Sequence, residues 1–402
     1  MLARRAVCRA LRSRLANPCL LESSGRSCAA LAGPAAPTGL LARTTFYVRA
    51  FGELSKFKLT GFVVSTSCAG FALGSGATVD LQGLAWTAAG TWGAAACANT
   101  LNQVVEVRSD ALMKRTRHRP LPAGALSRRS ALLFAAGAGV AGVGALWSHC
   151  SATAAALGAA NVVLYAAVYT PLKRISVVNT WVGAVVGAIP PLIGWAAAAG
   201  ELQPGAGVLA GALYLWQLPH FMALAYLYRA DYAAGGYRML PILDATGRRT
   251  AGVMLRNSAA LLPLGFAAAA LGVASPPFAW EAAALSAALL AGAGAFWLAP
   301  GQVTARRLFL ASLLHLPLLQ GALVLHRIPN TAQARADAPT TMSEWLRRAR
   351  AAHAADSIPA REDTIRLAMP ALSAAPFPFL PLPLVQAPPS RRSTTASSSP
   401  GT

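Results

Sequence analysis

Charge is what this 402-residue chain has least of: Asp, Glu, Lys and Arg together make up 12% of it, and only 14 residues are acids. A water-soluble domain carries about 25% charged residues, so most of this surface cannot face water. Cysteine is too sparse and scattered for a disulfide framework or a zinc site. Cys8, Cys19 and Cys28 lie near the N-terminus and Cys68, Cys97 and Cys150 in apolar stretches, with no Cys-x-x-Cys pair and no His/Cys ligand spacing. The last three read as small buried apolar residues. The formal charge of +21 does not point to nucleic acid, because Lys and Arg fall in short segments between apolar runs and not in one basic domain.

What is present is hydrocarbon: 55% of residues are hydrophobic and the mean hydropathy is +0.47. Crossing about 30 Å of lipid takes about 20 apolar residues with every backbone amide bonded internally, so long apolar runs are read as helices. The sequence predicts an all-α membrane protein with about nine such helices: Leu59–Ala77, Leu81–Leu101, Ala131–Trp147, Ala152–Thr170, Trp181–Ala199, Gly205–Tyr226, Ser258–Ala274, Phe278–Ala299 and Leu308–Leu325. The connections alternate in charge. Arg108 to Arg129, Lys173/Arg174, Arg229 to Arg256 and Arg306/Arg307 fall on one side, and the opposite loops carry no Lys or Arg. The positive-inside rule then puts the N-terminus and the basic loops in the matrix or cytoplasm and the C-terminus on the far side. Ala and Gly crowd the spans, which predicts close helix packing.

The two ends differ from the middle. Residues 1–48 hold Arg4, Arg5, Arg9, Arg12, Arg14, Arg26 and Arg43 against one acid, Glu22, which is the composition of a mitochondrial transit peptide. Residues 328–402 turn to Ala, Pro, Ser and Thr and are expected to be a mostly disordered tail with a short helix near Ser343–Ala354. Residues 49–327 form the transmembrane domain between them.

Chemistry concentrates at the inner end of the second span. Asn102, Glu106 and Asp110 follow a spacing of four, so a continuing helix projects them from one stripe, turns apart by about 6 Å. Two carboxylates so placed repel unless a cation bridges them, and oxygen donors at a helix end suit Mg²⁺, which keeps waters and takes its other ligands from phosphate. Lys114, Arg115, Arg117, His118 and Arg119 come next, then Pro120, which is expected to end the helix at Arg119. Cations beside a metal-binding carboxylate pair are the equipment for a diphosphate, with Arg115 and Arg119 as candidate contacts. A further acid, Asp231, follows the sixth span on the same predicted side. His220, inside the sixth span between Pro219 and Phe221, is an ionisable group where such groups are costly, and imidazole is an axial haem ligand. His315 is a second such candidate, while His118, His149, His326 and His353 read as surface residues.

The stretch Asn102-x₃-Glu106-x₃-Asp110 resembles the NxxxDxxxD motif of UbiA-type prenyltransferases, with Glu in the middle as in their mitochondrial haem O synthase branch. Tyr169-Thr-Pro-Leu-Lys173-Arg174, Asn179 through Pro191 with Gly194-Trp195, Trp216-Gln-Leu-Pro-His220-Phe, Asp231-Tyr-x₂-Gly-Gly, Leu54-Ser-Lys56 and Ser312-x₂-His315 extend the likeness over about residues 50 to 325. One departure is that Gly235 stands where many members have the second acid of a DxxxD motif, which leaves the number of metal ions open. The resemblance implies a bundle of two four-helix pseudo-repeats plus one helix. It also implies transfer of the farnesyl group of farnesyl diphosphate to a vinyl group of haem B (protohaem IX), giving the hydroxyethylfarnesyl arm of haem O. Mg²⁺ would be held by Asn102, Glu106, Asp110 and Asp231, the diphosphate by Arg115, Arg119, Lys173 and Arg174, and the acceptor would contact His220, Tyr169 and His315. Trp195 and Trp216 are further candidate walls for an allylic cation. The expected setting is membrane lipid of the mitochondrial inner membrane, the expected partner beyond the substrates is haem A synthase, and no nucleic acid is expected. A quinone-precursor or chlorophyllide acceptor, or a polytopic transporter, would share several of these features.

Overall fold

The computed structural model describes residues 39–339 and 341–356, where the regular elements are helices and one isolated bridge joins Ala274 to Arg327. The arginine-rich segment up to residue 38 and the tail after residue 356 lie outside the described residues. Helix α1 (Leu40–Leu54) begins before the 48/49 boundary expected from composition. Its Ala50 and Leu54 pack on Leu121, Leu126 and Ala131, whereas Leu40, Leu41 and Val48 stay exposed beside Arg43 and Arg49. An apolar exposed stripe flanked by arginines suits the lipid–water boundary.

The chain then runs through α2 (Phe57–Gly74), α3 (Leu81–Leu112) and α4 (Arg128–His149). The next segment joins α5 (Ala152–Val163), a π-helical turn (Leu164–Tyr169) and α6 (Thr170–Ile175) end to end. There follow α7 (Asn179–Ala199), α8 (Ala206–Leu227), the short α9 (Arg229–Ala234) and α10 (Leu240–Leu243), and the broken pair α11 (Arg248–Ala260) and α12 (Leu264–Ala270). Helices α13 (Pro276–Leu298) and α14 (Gln302–Leu325) close the bundle, and α15 (Ala332–Ala336) and α16 (Met342–Asp356) follow it.

Among the described residues eight helical segments are long and apolar enough to cross a membrane, against the nine expected. The one that stands apart is α3. Its 32 residues reach about 48 Å at about 1.5 Å each, more than lipid requires. Its low hydropathy comes from a polar face that points inward: Thr87, Thr91, Asn99, Thr100, Asn102, Gln103, Glu106, Ser109 and Asp110 are all buried. The seventh span also differs from expectation. It starts at Arg248, ten residues before the expected Ser258, and it is interrupted at Leu261–Pro263 because Pro263 supplies no backbone N–H. Part of the expected tail folds back: Ile328 N–H donates to Val273 O, Asn330 Nδ2 to Gly74 O, and Trp345 of α16 is buried.

Small residues decide the packing. A Cβ on Gly194 would collide with the Ser67 carbonyl, and one on Gly70 with the Pro191 carbonyl, so α2 and α7 touch backbone to backbone. Helix α3 packs on α2 and α4, α7 on α8, and α8 on α14, with α8 buried nearly all round. The N-terminal ends of α2 and α7 and the C-terminal ends of α3, α6 and α8 gather at one end of the bundle, where the cavity described next opens.

Candidate active site

Helix α3 delivers Asn102, Glu106 and Asp110 from one buried stripe, as the spacing of four requires; they are 0%, 5% and 0% exposed. Each carboxylate has its own cation. Lys173 Nζ lies 2.8 Å from Glu106 Oε1, and Arg119 Nη1 donates to Asp110 Oδ2 at 2.8 Å. Arg119 gets there because α3 ends at Leu112, not at Arg119 as Pro120 suggested. Met113 turns extended (ψ 131°) and buries against Ala225, Tyr237 and Met239, and the Thr116 hydroxyl then donates to the Asp110 carbonyl. The chain thus folds back over its own helix end, and burial of Met113 outweighs continuation of the helix.

Lys173 is placed from the other side by the π-helical turn. Pro171 has no N–H and its ring crowds the carbonyl four residues back, and just before it the helix widens so that Thr170 N–H bonds Tyr165 O. This brings Tyr165 and Tyr169 together on one face, ring centroids 5.3 Å apart, with the Lys173 ammonium 4.6 Å from the Tyr169 ring centre.

Below this rim lies a cavity of about 530 Å³. Its mouth holds Asn102, Glu106, Asp110, Arg115, Arg119 and Lys173; deeper walls include Val63, Ala98, Tyr165, Val186, Pro190 and Phe221. Gly183 and Gly187 keep the α7 wall thin, since a Cβ there would strike the Tyr169 ring or the Gln217 amide. Pro190 and Pro191 lie inside α7 and leave the Val186 and Gly187 carbonyls without their helical donors, a polar trace in an otherwise apolar wall.

The other expected site residues divide. Arg115 reaches across the rim, donating to Tyr232 Oη at 3.0 Å and stacking over Tyr228 and Tyr232. Asp231, on α9 next to Tyr232, is half-buried at the same rim but does not line the cavity. Arg174 is exposed and points away from the lining. His220 is buried between Trp216 and Phe309 with Nδ1 2.8 Å from Ser312 Oγ, and neither it nor the buried His315 lines the cavity. Trp195 and Trp216 are core residues, and Trp216 Nε1 donates to Ser312 O. His326, read as a surface residue, is 3% exposed and bonded to Ser275 and Glu281, because α13 and α14 close over it.

Lys56, Asn99, Tyr165 and Tyr237 line the cavity and were not singled out as site residues from sequence. Lys56 carried a signal in the Leu54-Ser-Lys56 match. Tyr237 had none, being six residues beyond Asp231 in a loop. Its hydroxyl is buried beside Glu106, and burial and then the negative Glu106 push the phenol well above its ordinary pKa.

Among the described residues no three acid, imidazole or thiol groups cluster as a metal cage. Mg²⁺ needs less, typically one or two carboxylates with waters and substrate phosphate. The site meets that demand: Asp110 Oδ1 is buried without a hydrogen-bond partner and Glu106 supplies a second carboxylate one turn away, while Asn102 Oδ1, a further turn away, accepts from Lys56 Nζ.

Residues 63–315 match the model of the UbiA prenyltransferase family. The chain belongs to this family. A relative from Arabidopsis thaliana, protoheme IX farnesyltransferase, mitochondrial, is 47% identical over 346 residues, which cover 85% of this chain and 78% of the relative. The Homo sapiens protein of the same name is 46% identical over 267 residues, 66% of this chain and 60% of that protein. A digeranylgeranylglyceryl phosphate synthase structure matches with a TM-score of 0.60 at 14% identity, covering 69% of this chain and 98% of the other. A UbiA homolog from Archaeoglobus fulgidus bound to GPP and Mg²⁺ matches with a TM-score of 0.51 at 13% identity, covering 68% and 99%. At these identities the two structures speak for the UbiA fold.

Proposed function

We propose that this UbiA-family chain is a protohaem IX farnesyltransferase, joining the farnesyl group of farnesyl diphosphate to a vinyl group of haem B to give haem O, the precursor of haem A. The observation that carries the chemistry is a buried carboxylate pair, each member held by its own cation, at the mouth of a largely apolar cavity. The acceptor assignment draws support from the two similar proteins that bear this name.

Asp110, Glu106 and Asn102 would hold Mg²⁺, in keeping with the ion in the Archaeoglobus homolog. When bound it neutralises charge that builds on the leaving diphosphate. Asp231 sits on the same rim and is the acid available for a second ion. Lys173 and Arg119 already stand beside the acids, and with Arg115 they meet the diphosphate oxygens by charge-assisted hydrogen bonds. Tyr165 and Tyr169 line the cavity as electron-rich walls for an allylic cation. Val63, Ala98, Val186 and Phe221 keep bulk water from that cation.

In this reading the protein is a mitochondrial multi-pass enzyme of the inner membrane, surrounded by lipid. With α3 as a ninth crossing, the N-terminus and the site face the matrix and the C-terminus the intermembrane space. Haem A synthase is the partner that would take up the product.

The test is the reaction itself. Purified protein with farnesyl diphosphate, haem B and Mg²⁺ should yield haem O by mass spectrometry, lose activity on chelation and regain it on Mg²⁺ addition. Glu106→Gln and Asp110→Asn should each lower the rate by about 10²–10³. Prenylation of 4-hydroxybenzoate with haem left untouched would overturn the acceptor assignment.

A further inference from the structure

Among the described residues Lys56 is the one non-glycine residue with a left-handed backbone, φ 51° and ψ 54°. A long side chain holds such a conformation only where its surroundings enforce it. They do so here. Lys56 is the elbow between α1 and α2, and α3 grips that elbow by its carbonyls: Gln103 Nε2 donates to Leu54 O at 2.8 Å and to Glu53 O at 3.1 Å, and Asn99 Nδ2 to Ser55 O at 3.3 Å. Thr60 Oγ1 also donates to Ser55 O. Three side chains thus fix the backbone that aims Lys56 into the cavity.

The ammonium ends in a network of neutral groups. Lys56 Nζ donates to Asn102 Oδ1 at 2.8 Å and to Tyr165 Oη at 3.2 Å. Tyr165 Oη donates on to Asn99 Oδ1, and Asn102 Nδ2 donates to Thr170 Oγ1, whose proton goes to Tyr165 O. The last bond fixes the Asn102 amide, with its oxygen toward Lys56. The other cations deepest in the mouth are matched, Lys173 by Glu106 and Arg119 by Asp110, whereas Lys56 has no ion-pair partner among the described residues. Two of its three N–H groups are used, and Glu106 and Asp110 attract it only from beyond ion-pair distance.

We propose that Lys56 is an anion-binding residue of this cavity, contacting an anionic oxygen of a bound substrate with its remaining N–H: either the donor's diphosphate or a carboxylate of the porphyrin. The proposal rests on the substrates assigned above. Loading a substrate would supply the charge that the elbow is built to meet.

The test uses the full chain in detergent. Lys56→Gly removes the ammonium while keeping a backbone that glycine adopts without steric cost, and Lys56→Arg keeps the charge. In Lys56→Gly the KM of one substrate should rise about tenfold or more with a smaller change in kcat, and Lys56→Arg should recover part of it. If the partner is diphosphate, inorganic pyrophosphate inhibits Lys56→Gly more weakly than wild type. If it is a carboxylate, wild type prefers haem B to its dimethyl ester and Lys56→Gly does not. Unchanged KM values, unchanged pyrophosphate inhibition and a fall in kcat alone would make Lys56 a brace for Asn102 and overturn the proposal. Calorimetric titration with pyrophosphate, haem B and the ester needs no turnover. A chain that binds one of them through Lys56 yet converts neither substrate would refute the substrate assignment and leave the lysine's role standing.

Discussion

Breaking the Glu106–Lys173 pair separates a structural salt bridge from a catalytic one. The two atoms are 2.8 Å apart, and the side chains are 6% and 11% exposed. Lys173→Met leaves the Glu106 carboxylate buried with no ion-pair partner. Removing one partner of a buried pair costs about 3–5 kcal/mol; because the cavity mouth admits water, the lower end, about 3 kcal/mol, is expected here. Glu106→Gln in the same chain removes the second charge, and stability should return to within about 1 kcal/mol of wild type. Activity should not return, since on the proposed roles the double variant lacks a metal ligand and a diphosphate contact, and the rate should stay down by about 10²–10³. Thermal unfolding in detergent, followed with a thiol-reactive dye that reports exposure of buried Cys97, reads the first quantity, and haem O formation the second. Full stability of Lys173→Met, or recovered activity in the double variant, would refute the reasoning.

Two further expectations test the frame around the site. Gly194→Ala places a methyl group against the Ser67 carbonyl where α2 and α7 touch, so it should destabilise by about 1–3 kcal/mol; an unchanged melting temperature would contradict that contact. Asp244, in the loop before α11, is opposed by two effects: burial pushes its carboxyl up, but the Thr250 N–H and the Thr250 and Thr246 hydroxyls donate to it and hold it below the ordinary 3.8. A depressed carboxylate adds stability that is present above its unfolded value and lost as pH falls through its folded value. Wild type should therefore melt above Asp244→Asn at neutral pH, and the gap should narrow only below about pH 3.8; a gap that closes at pH 5 would contradict this.

Much of the site was legible because helical periodicity is local. A spacing of four puts Asn102, Glu106 and Asp110 on one stripe whatever surrounds them, and cations immediately beyond a carboxylate pair announce an anion. Arg119 is where that reasoning wanted a cation, whereas Lys173 came only from the family resemblance. The same local logic misplaced the end of α3, because Pro120 speaks only for its neighbours while the fate of Met113 depends on Ala225, Tyr237 and Met239. His220 and His315 looked functional for a sound reason, the cost of an imidazole in lipid. That cost is met for His220 by Ser312 and two aromatic rings, which sequence distance conceals.

The sequence by itself determined that the chain lives in lipid, that it is helical, where nearly all of the membrane-length helices lie, and which helix end bears the acids. These follow from hydropathy and from a 3.6-residue repeat, both properties of neighbours along the chain. Only the tertiary structure decided which cation meets which acid, that α3 hides a polar face, and that the elbow at Lys56 turns its ammonium into the cavity. Apart from Arg119 with Asp110, nine positions away, those outcomes depend on contacts between residues tens to more than a hundred positions apart, such as Lys56 with Tyr165 and Arg115 with Tyr232, and no local pattern encodes such a meeting.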